Sequence, residues 1–190
     1  MEIVVLGLGS NRPFNGLSPA ELLNSAFAEL SSLLEDCRLS PVYTTAPVGV
    51  TDQADFCNAA VAGRYGGSPR ELLAAVQAVE AARGRDRQRE RRWGERSLDI
   101  DILLFGDRLI REKDLSVPHP RLRERAFALR PLLDLIPAAR EPGTGISYRR
   151  ILEALPDQGI KAYRPETEPK RGVQIPQAGD IRRSLNHRPD

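Results

Sequence analysis

Ser68-Pro69-Arg70-Glu71-Leu72-Leu73 has the composition of a helix start, and the same device occurs earlier as Ser18-Pro19-Ala20-Glu21. In each case the serine can cap the first backbone amides, proline suits the first turn, and glutamate can reach back to the cap. Gly84 is placed to end the second helix. An apolar face follows each start. After Ser18 it consists of Leu23, Phe27, Leu30 and Leu34, and after Ser68 it consists of Leu72, Leu73, Val76 and Val79. Two helices are therefore predicted.

Strand patterns surround these helices. Residues 2–8 form a β-branched, apolar run that the Gly-Leu-Gly-Ser-Asn segment 7–11 is expected to end as a turn. Two further strands are predicted, with a long loop between them, and an alternating strand follows the second helix. Their bounds are residues 39–46, 56–65 and 97–105. Gly106-Asp107 then turns the chain into the short run 108–110, which predicts a hairpin.

The element order β-α-β-β-α-β predicts an α+β protein with a ferredoxin-like core. In this fold an antiparallel sheet carries both helices on one face, and we expect the other face to be free for ligands. The added hairpin and extra C-terminal helices at 122–136 and 147–155 complete a predicted domain of residues 1–163. Residues 164–190 contain four prolines and many charges. They predict an irregular or mobile tail.

Composition excludes several classes of protein. The 190 residues suffice for one domain without disulfide or metal staples. No stretch approaches 18 uninterrupted apolar residues, so no membrane span is expected. Cys37 and Cys57 form no CxxC pair, and no secretory signal is apparent, which predicts small core cysteines in a cytoplasmic protein. The net charge is only +2, yet 25 of the 28 basic residues are Arg, which suits phosphate binding and equally fits genomic base composition.

Two carboxylates occur two residues apart in Leu98-Asp99-Ile100-Asp101-Ile102. Strand periodicity puts both on one face, about 6 to 7 Å apart. At an effective dielectric constant near 20, their repulsion is roughly 2 to 3 kcal/mol, which cations would relieve. The alternative is an amphipathic strand with a solvated polar face.

An arginine-rich segment, residues 83–96, lies immediately before this strand. It holds seven Arg and three acids, a local charge of +4. A solvated loop or a nucleic-acid patch could have this composition. Beside paired carboxylates, however, it fits phosphoryl transfer, in which carboxylates hold Mg²⁺ and guanidiniums take the remaining phosphate charge.

Other motifs are less specific. His119 lies between two prolines, and from the residues alone a structural, hydrogen-bonded histidine is the favoured interpretation. Arg121, Arg123 and Arg125 follow at a predicted helix start, where guanidiniums and amides could meet phosphate. The chain has neither GxGxxG nor GxxxxGK, so ATP would bind without a P-loop.

Four blocks together resemble the 6-hydroxymethyl-7,8-dihydropterin pyrophosphokinase family of folate biosynthesis. These blocks are LGLGSN (6–11), YTTAPVG (43–49) with DQADFCN (52–58), RWGERSLDID (92–101), and VPHPR (117–121) with ERAF (124–127). Their order and spacing span most of residues 2–137. The resemblance implies a monomeric transferase that moves pyrophosphate from ATP to the pterin alcohol and releases AMP.

The resemblance also implies roles for individual residues. Asp99 and Asp101 would hold two Mg²⁺ ions, and Arg85 and Arg96 would join them as catalytic residues. The implied ATP-binding residues are Gln77, Glu80, Arg87, Arg92, Trp93, Arg96, His119 and Arg125. The implied pterin pocket consists of Thr45, Pro47, Val48, Phe56, Asn58, Trp93 and Phe127. The arginine-rich loop is one residue longer than the family pattern. Several arginines therefore remain alternatives for the phosphate contact, namely Arg87, Arg89, Arg91 and Arg92.

Two rival functions remain. A ferredoxin-like RNA-binding module could use the arginine-rich segment as its patch, but residues 56–61 lack the stacking aromatics that such modules place on central strands. A different two-metal transferase could share the aspartates and act on another acceptor, in which case the pterin-pocket residues discriminate. We expect small-molecule substrates rather than nucleic acid or membrane.

Overall fold

The computed structural model describes residues 1–47, 49, 52–86 and 94–165. Its first elements follow the predicted β-α-β-β-α-β order, with one additional strand between the two helices. In chain order the elements are β1 (Glu2–Ser10), α1 (Pro19–Leu30), β2 (Glu35–Leu39), β3 (Tyr43–Thr45), β4 (Phe56–Tyr65), α2 (Pro69–Ala82), β5 (Asp99–Phe105), β6 (Ile110–Glu112), β7 (Leu115–Val117), a 3-10 turn (Leu122–Glu124), α3 (Ala126–Leu135), α4 (Tyr148–Ala154) and β8 (Lys161–Ala162).

The first two helices start where the serines predict. Both Ser18 and Ser68 form complete capping boxes with the glutamate three residues later. The Ser18 backbone N–H donates to Glu21 at 2.8 Å. Helix α1 ends at Leu30, one turn earlier than the apolar pattern suggested, and Leu34 is buried in the turn that follows.

The sheet is antiparallel and confirms the ferredoxin-like prediction. Its order is β5-β1-β4-β3-β8, and β2 also pairs with β4. Helices α1 and α2 both pack on one face, against alternate residues of β1, β4 and β5. The centre of this core includes Val4, Leu6, Leu8, Leu23, Val61, Val76 and Ile100. Burial of these side chains, at about 25 cal/mol per Å², holds the layers together.

The predicted strand 39–46 is wrong as a single element. Residues 40–42 interrupt it, which leaves β2 and β3 as separate partners of β4. Pro41 has no backbone N–H for a ladder, and the Ser40 hydroxyl instead accepts from the Ala60 N–H at 2.9 Å. The chain therefore bends here and still stays bound to the sheet.

The expectation of a free second face is wrong for half of that face. Helix α3 packs there, and α4 adds the fully buried Tyr148. This second core contains Val5, Ala60, Ala62, Leu103, Leu129 and Leu132. The sheet surface near the start of β4, the start of β5 and the end of β1 is not part of this core. The ligand face is thus confined to one end of the sheet.

The C-terminal third differs from prediction in its details. The added hairpin forms between β6 and β7, whereas the sequence suggested that residues 108–110 would turn back on 97–105. The predicted helix 122–136 is divided by Arg125, whose extended backbone separates the 3-10 turn from α3. Strand β8 pairs with β3. Residues 166–190 lie outside the described residues, so the proposed boundary at 163 and the tail stay predictions.

The structure can be compared with the expectations about membrane spans and cysteines that were drawn from composition. In the described ranges, no helix is both long and apolar enough to cross a membrane. Cys57 is buried and Cys37 is half-buried, and both are free thiols. Burial raises the pKa of each thiol. The cytoplasmic setting stays a prediction.

A glycine at the end of α2 provides a test of this packing. Gly84 has φ of +76°, and a Cβ there would lie 2.3 Å from the Phe14 ring. Gly84→Ala should therefore reduce the free energy of unfolding by about 1 to 2 kcal/mol for the left-handed backbone and about 1 to 3 kcal/mol more for the collision. Urea titration of the purified variant measures the loss.

Gly145→Ala is the matched control. Gly145 has φ of +71° with nothing within 4 Å of the added carbon, so only the backbone cost applies. Equal losses in the two variants would contradict the packing of Phe14 on Gly84.

Candidate active site

The uncovered end of the sheet forms a cleft of about 390 Å³. Strand register explains which side chains meet there. Gly9 of β1 lies opposite Asn58 of β4 and Asp99 of β5, and Gly7 lies opposite Asp101. Because neighbouring strands are about 4.8 Å apart, Asn58 and Asp99 face each other across Gly9 at about 10 Å. An amide wall and a carboxylate wall thus share one cleft.

The two glycines keep the floor of the cleft low. Neither is in a turn after β1, as the sequence suggested, because β1 continues through both to Ser10. A Cβ at Gly9 would lie 3.5 Å from the Asn58 side-chain oxygen, and one at Gly7 would lie 3.2 Å from Leu103. Glycine within a strand often marks a close approach by a ligand. This spacing was the available signal for two cleft residues that our sequence assignment missed.

Two arginines surround the first carboxylate. Arg85 Nη2 lies 3.2 Å from Asp99 Oδ1, and Arg96 Nη1 binds Asp99 Oδ2. The Arg85 side chain is only 7% exposed, so its charge acts in a partly dehydrated setting. At such a site, electrostatic interactions are stronger than at the open surface. Asp99 therefore lies between two fixed cations.

The second carboxylate has its own pair of partners. Arg125 Nη1 lies 3.1 Å and His119 Nε2 lies 3.7 Å from Asp101 Oδ2. The Arg121 backbone N–H donates to His119 Nδ1 at 3.1 Å, so a neutral imidazole carries its proton on Nε2, facing the cleft. Burial lowers the pKa of His119, and the Asp101 carboxylate opposes that shift. His119 thus lines the cleft as an N–H donor.

The donor chemistry of Asp99 and Asp101 fits Mg²⁺. Among the described residues, no group of three or more His, Cys, Asp or Glu could hold a metal ion by itself. Magnesium, however, is commonly bound by one or two carboxylates together with substrate phosphates and water. Two adjacent, partly exposed carboxylates suit an ion that arrives with a phosphate ligand.

The opposite wall is polar at one point and otherwise aromatic. The Asn58 Nδ2 group donates to Thr45 Oγ1 at 2.9 Å, and this buried bond fixes the orientation of the amide. Phe56 and Phe127 also line the cleft. The Arg125 guanidinium lies 5.6 Å from the Phe127 ring centroid. A planar heterocycle with hydrogen-bonding edges would match this wall.

Asn11 connects the loops around the cleft through hydrogen bonds of its side chain. Its side chain donates to Gln53 Oε1 and to the Ala54 carbonyl, both at 3.1 Å, and accepts from the Arg96 N–H at 2.8 Å. It is only 2% exposed. Asn11 ends the block LGLGSN (6–11), but its hydrogen-bond partners are 42 or more positions away. Nothing local in the sequence indicates this function.

The structure brings most of the predicted site residues together. Besides the charged groups, the cleft is lined by Thr45, Phe56, Asn58 and Phe127. Gln53 also lines it and was assigned no role from sequence, and Arg121, one of the three arginines predicted to be able to meet phosphate, lines it too. Arg85 contacts Asp99 from below the cleft surface.

Besides Arg85, three predicted residues do not line the cleft in the described structure. Gln77 is exposed on α2, and Pro47 follows the cleft residue Ala46. Glu80 is buried and accepts from the Ile100 N–H at 2.8 Å, which gives this backbone group of the edge strand β5 a hydrogen-bond partner. Their ligand contacts stay predictions. Other predictions fall on residues outside the described ranges, namely Val48, Arg87, Arg89, Arg91, Arg92 and Trp93.

The fold is similar to solved structures. Chains described as Plasmodium falciparum HPPK-DHPS wild type with SDX-DHP superpose with a TM-score of 0.61 at 18% identity, over 80% of this chain and 43% of that chain. The HPPK-DHPS wild-type chain with pteroate gives 0.59 at 17% identity, with 80% and 42% covered. At this identity the likeness shows the fold alone. The present chain spans less than half the length of these structures.

Sequence relatives are closer. The 2-amino-4-hydroxy-6-hydroxymethyldihydropteridine pyrophosphokinase of Pseudomonas aeruginosa is 40% identical over 160 residues, covering 83% of this chain and 94% of the relative. The same-named protein of Aquifex aeolicus is 37% identical over 165 residues, covering 86% and 96%. The family model described as 7,8-dihydro-6-hydroxymethylpterin-pyrophosphokinase matches residues 5–137. This segment includes the carboxylate strand and both walls of the cleft, and the chain therefore belongs to the 7,8-dihydro-6-hydroxymethylpterin-pyrophosphokinase family.

Proposed function

We propose that this chain transfers pyrophosphate from ATP to 6-hydroxymethyl-7,8-dihydropterin, giving the pterin pyrophosphate and AMP in folate biosynthesis. Family membership supports this reaction. The structural observation that carries it is the cleft itself, in which Asp99 faces Asn58 across Gly9 and Asp101 lies two residues further along the same strand. The separation of about 10 Å is comparable to a two-ring heterocycle with a one-carbon arm.

Asp99 and Asp101 would hold two Mg²⁺ ions that enter with ATP. Bound Mg²⁺ supplies charge neutralisation and polarises the phosphoryl group. The two aspartates act as metal ligands rather than as bases. Their present arginine partners exchange carboxylate oxygens for phosphate oxygens when the ligands bind.

Arg85, Arg96, Arg125 and His119 would take the phosphate charge that the metals leave. Their side chains surround both carboxylates, which supports this division of roles. Guanidiniums suit phosphate because their N–H groups form paired bonds with its oxygens. His119 would donate through Nε2. Gln77, Glu80, Arg87, Arg92 and Trp93 remain part of the proposed ATP site.

The pterin ring would lie against Phe56 and Phe127, with its hydrogen-bonding edge at Asn58. Thr45 holds the Asn58 amide in place, which supports a fixed recognition geometry. Pro47, Val48 and Trp93 complete the proposed pocket. This orientation directs the hydroxymethyl arm toward Asp99 and Asp101.

The reaction exchanges one phosphorus–oxygen bond for another. The hydroxymethyl oxygen forms a bond to the β-phosphorus of ATP, the bond from that phosphorus to the oxygen on the α-phosphate breaks, and AMP leaves with one proton released. Such transfers depend chiefly on positioning and electrostatic stabilisation. The chain is proposed to work as a cytoplasmic monomer.

The reaction is tested first by its products. Purified protein with ATP, Mg²⁺ and 6-hydroxymethyl-7,8-dihydropterin should yield AMP and the pterin pyrophosphate in equal amounts, as measured by chromatography and mass spectrometry. Formation of ADP would instead indicate single phosphoryl transfer.

The carboxylate pair gives a second prediction. Asp99→Asn and Asp101→Asn should each fold normally and lose about 100-fold or more of the Mg²⁺-dependent AMP formation, because the metal ligands lose charge. Circular dichroism and initial rates measure the two properties. Asp107→Asn, an exposed acid just beyond the opposite end of β5, is the control and should retain full activity. Full activity in either cleft variant would exclude the metal role.

The amide wall gives a third prediction. Asn58→Ala should weaken pterin binding about 10-fold to 100-fold, because the heterocycle edge loses its partner in a buried site, and should change ATP binding less than threefold. Thr45→Val, which removes only the acceptor that orients Asn58, should give a smaller loss of pterin affinity. Calorimetric titration with each ligand measures these effects. Equal losses for the two ligands would count against the pterin pocket.

A further inference from the structure

The segment after α4, residues 156–163, runs between the start of α3 and β3 and is here called the strap. At one end, β8 pairs with β3, where Lys161 lies opposite Thr44, and the Tyr163 N–H donates to the Val42 carbonyl at 2.9 Å. At the other end, Gln158 reaches the start of α3. The strap therefore joins the strand that carries Thr45 to the helix that carries Phe127. It lies beyond the residues 5–137 that the family model matches.

Gln158 binds the backbone on both sides of Arg125. Its Oε1 accepts from the Ala126 N–H at 3.0 Å, and its Nε2 donates to the Glu124 carbonyl at 2.8 Å. Arg125 itself provides no side-chain cap for α3. The first amide of a helix needs an acceptor, and here one arrives from 32 residues further along the chain. One amide group thus fixes the peptide units that flank a cleft arginine.

The position of Arg125 matters for both walls of the cleft. Its guanidinium lies 3.1 Å from Asp101 and 5.6 Å from the Phe127 ring centroid. Its backbone is extended, with φ −112° and ψ 91°, between the 3-10 turn and α3. Its N–H donates to the Leu122 carbonyl at 3.3 Å and its carbonyl accepts from the Leu129 N–H at 3.0 Å, and the bonds from Gln158 hold the two neighbouring peptide units as well. The two bonds from Gln158 restrict the rotation that would move the guanidinium away from Asp101.

We propose that Gln158 is a positioning residue, which holds Arg125 in the orientation that receives the ATP phosphates. This role rests on the proposed function only in naming ATP as the ligand. Gln158 does not line the cleft. Its contribution passes through Arg125, which makes a specific coupling between the two residues the expected signature.

The test is a double-mutant cycle on binding of α,β-methylene-ATP with Mg²⁺, an analogue that blocks the bond broken in the reaction. Gln158→Ala should weaken binding by about tenfold, as expected when a binding group is displaced. In an Arg125→Ala background the same change should have no further effect. Ser18→Ala, which removes a helix cap remote from the cleft, controls for general loss of stability and should bind like wild type.

Each outcome decides the proposal. The positioning role would be overturned if Gln158→Ala bound the analogue with wild-type affinity, or if the same change caused an equal loss in the Arg125→Ala background. It would also be overturned by an equal loss in Ser18→Ala or by a wild-type chain that does not bind the analogue. Failure of the wild-type chain to form AMP and pterin pyrophosphate, with the binding cycle still coupled, would reject the proposed reaction and leave the role of Gln158 intact.

Discussion

Repulsion between the carboxylates of Asp99 and Asp101 is the interaction around which the cleft is organised. Two residues apart on one strand, they cannot turn away from each other without leaving the sheet. Two separate segments place cations beside them, since Arg85 and Arg96 belong to the arginine-rich segment before β5 while Arg125 follows it. The same cations are suited to a polyphosphate, whose charge adds to that of the carboxylates. Structural stabilisation and ligand binding therefore use one set of side chains.

The sheet decides where this charge meets an apolar ligand. Helices α1 and α2 cover one face and α3 covers half of the other, so a single end remains for small molecules. At that end the central strand presents Gly7 and Gly9, and the flanking strands supply Asn58, Asp99 and Asp101. Larger side chains on β1 would separate the carboxylates from the Asn58 amide. The lack of side chains at Gly7 and Gly9 is thus as necessary to the cleft as its charged groups are.

Several contacts that hold the cleft come from distant parts of the chain. Asn11 joins the end of β1 to the loop before β4 and to Arg96. Gln158 joins the strap to the backbone around Arg125. Each bridging residue uses both the donor and the acceptor of one amide. Part of the binding site is built on loops, whose geometry the strands alone would not fix. Such hydrogen bonds provide that fixed geometry.

The sequence by itself determined the elements whose signals are local. Capping boxes at Ser18 and Ser68 placed the helix starts, and strand alternation placed both aspartates on one face, because each signal depends on near neighbours. Long-range packing decided the rest. The break at Ser40 depends on its bond to Ala60, and α3 covers the sheet because Ala60 and Ala62 leave room for it. The uses of Gly9, Asn11 and Gln158 likewise follow from partners dozens of residues away. Periodicity and propensity do not encode such pairings, so only the tertiary structure could decide them.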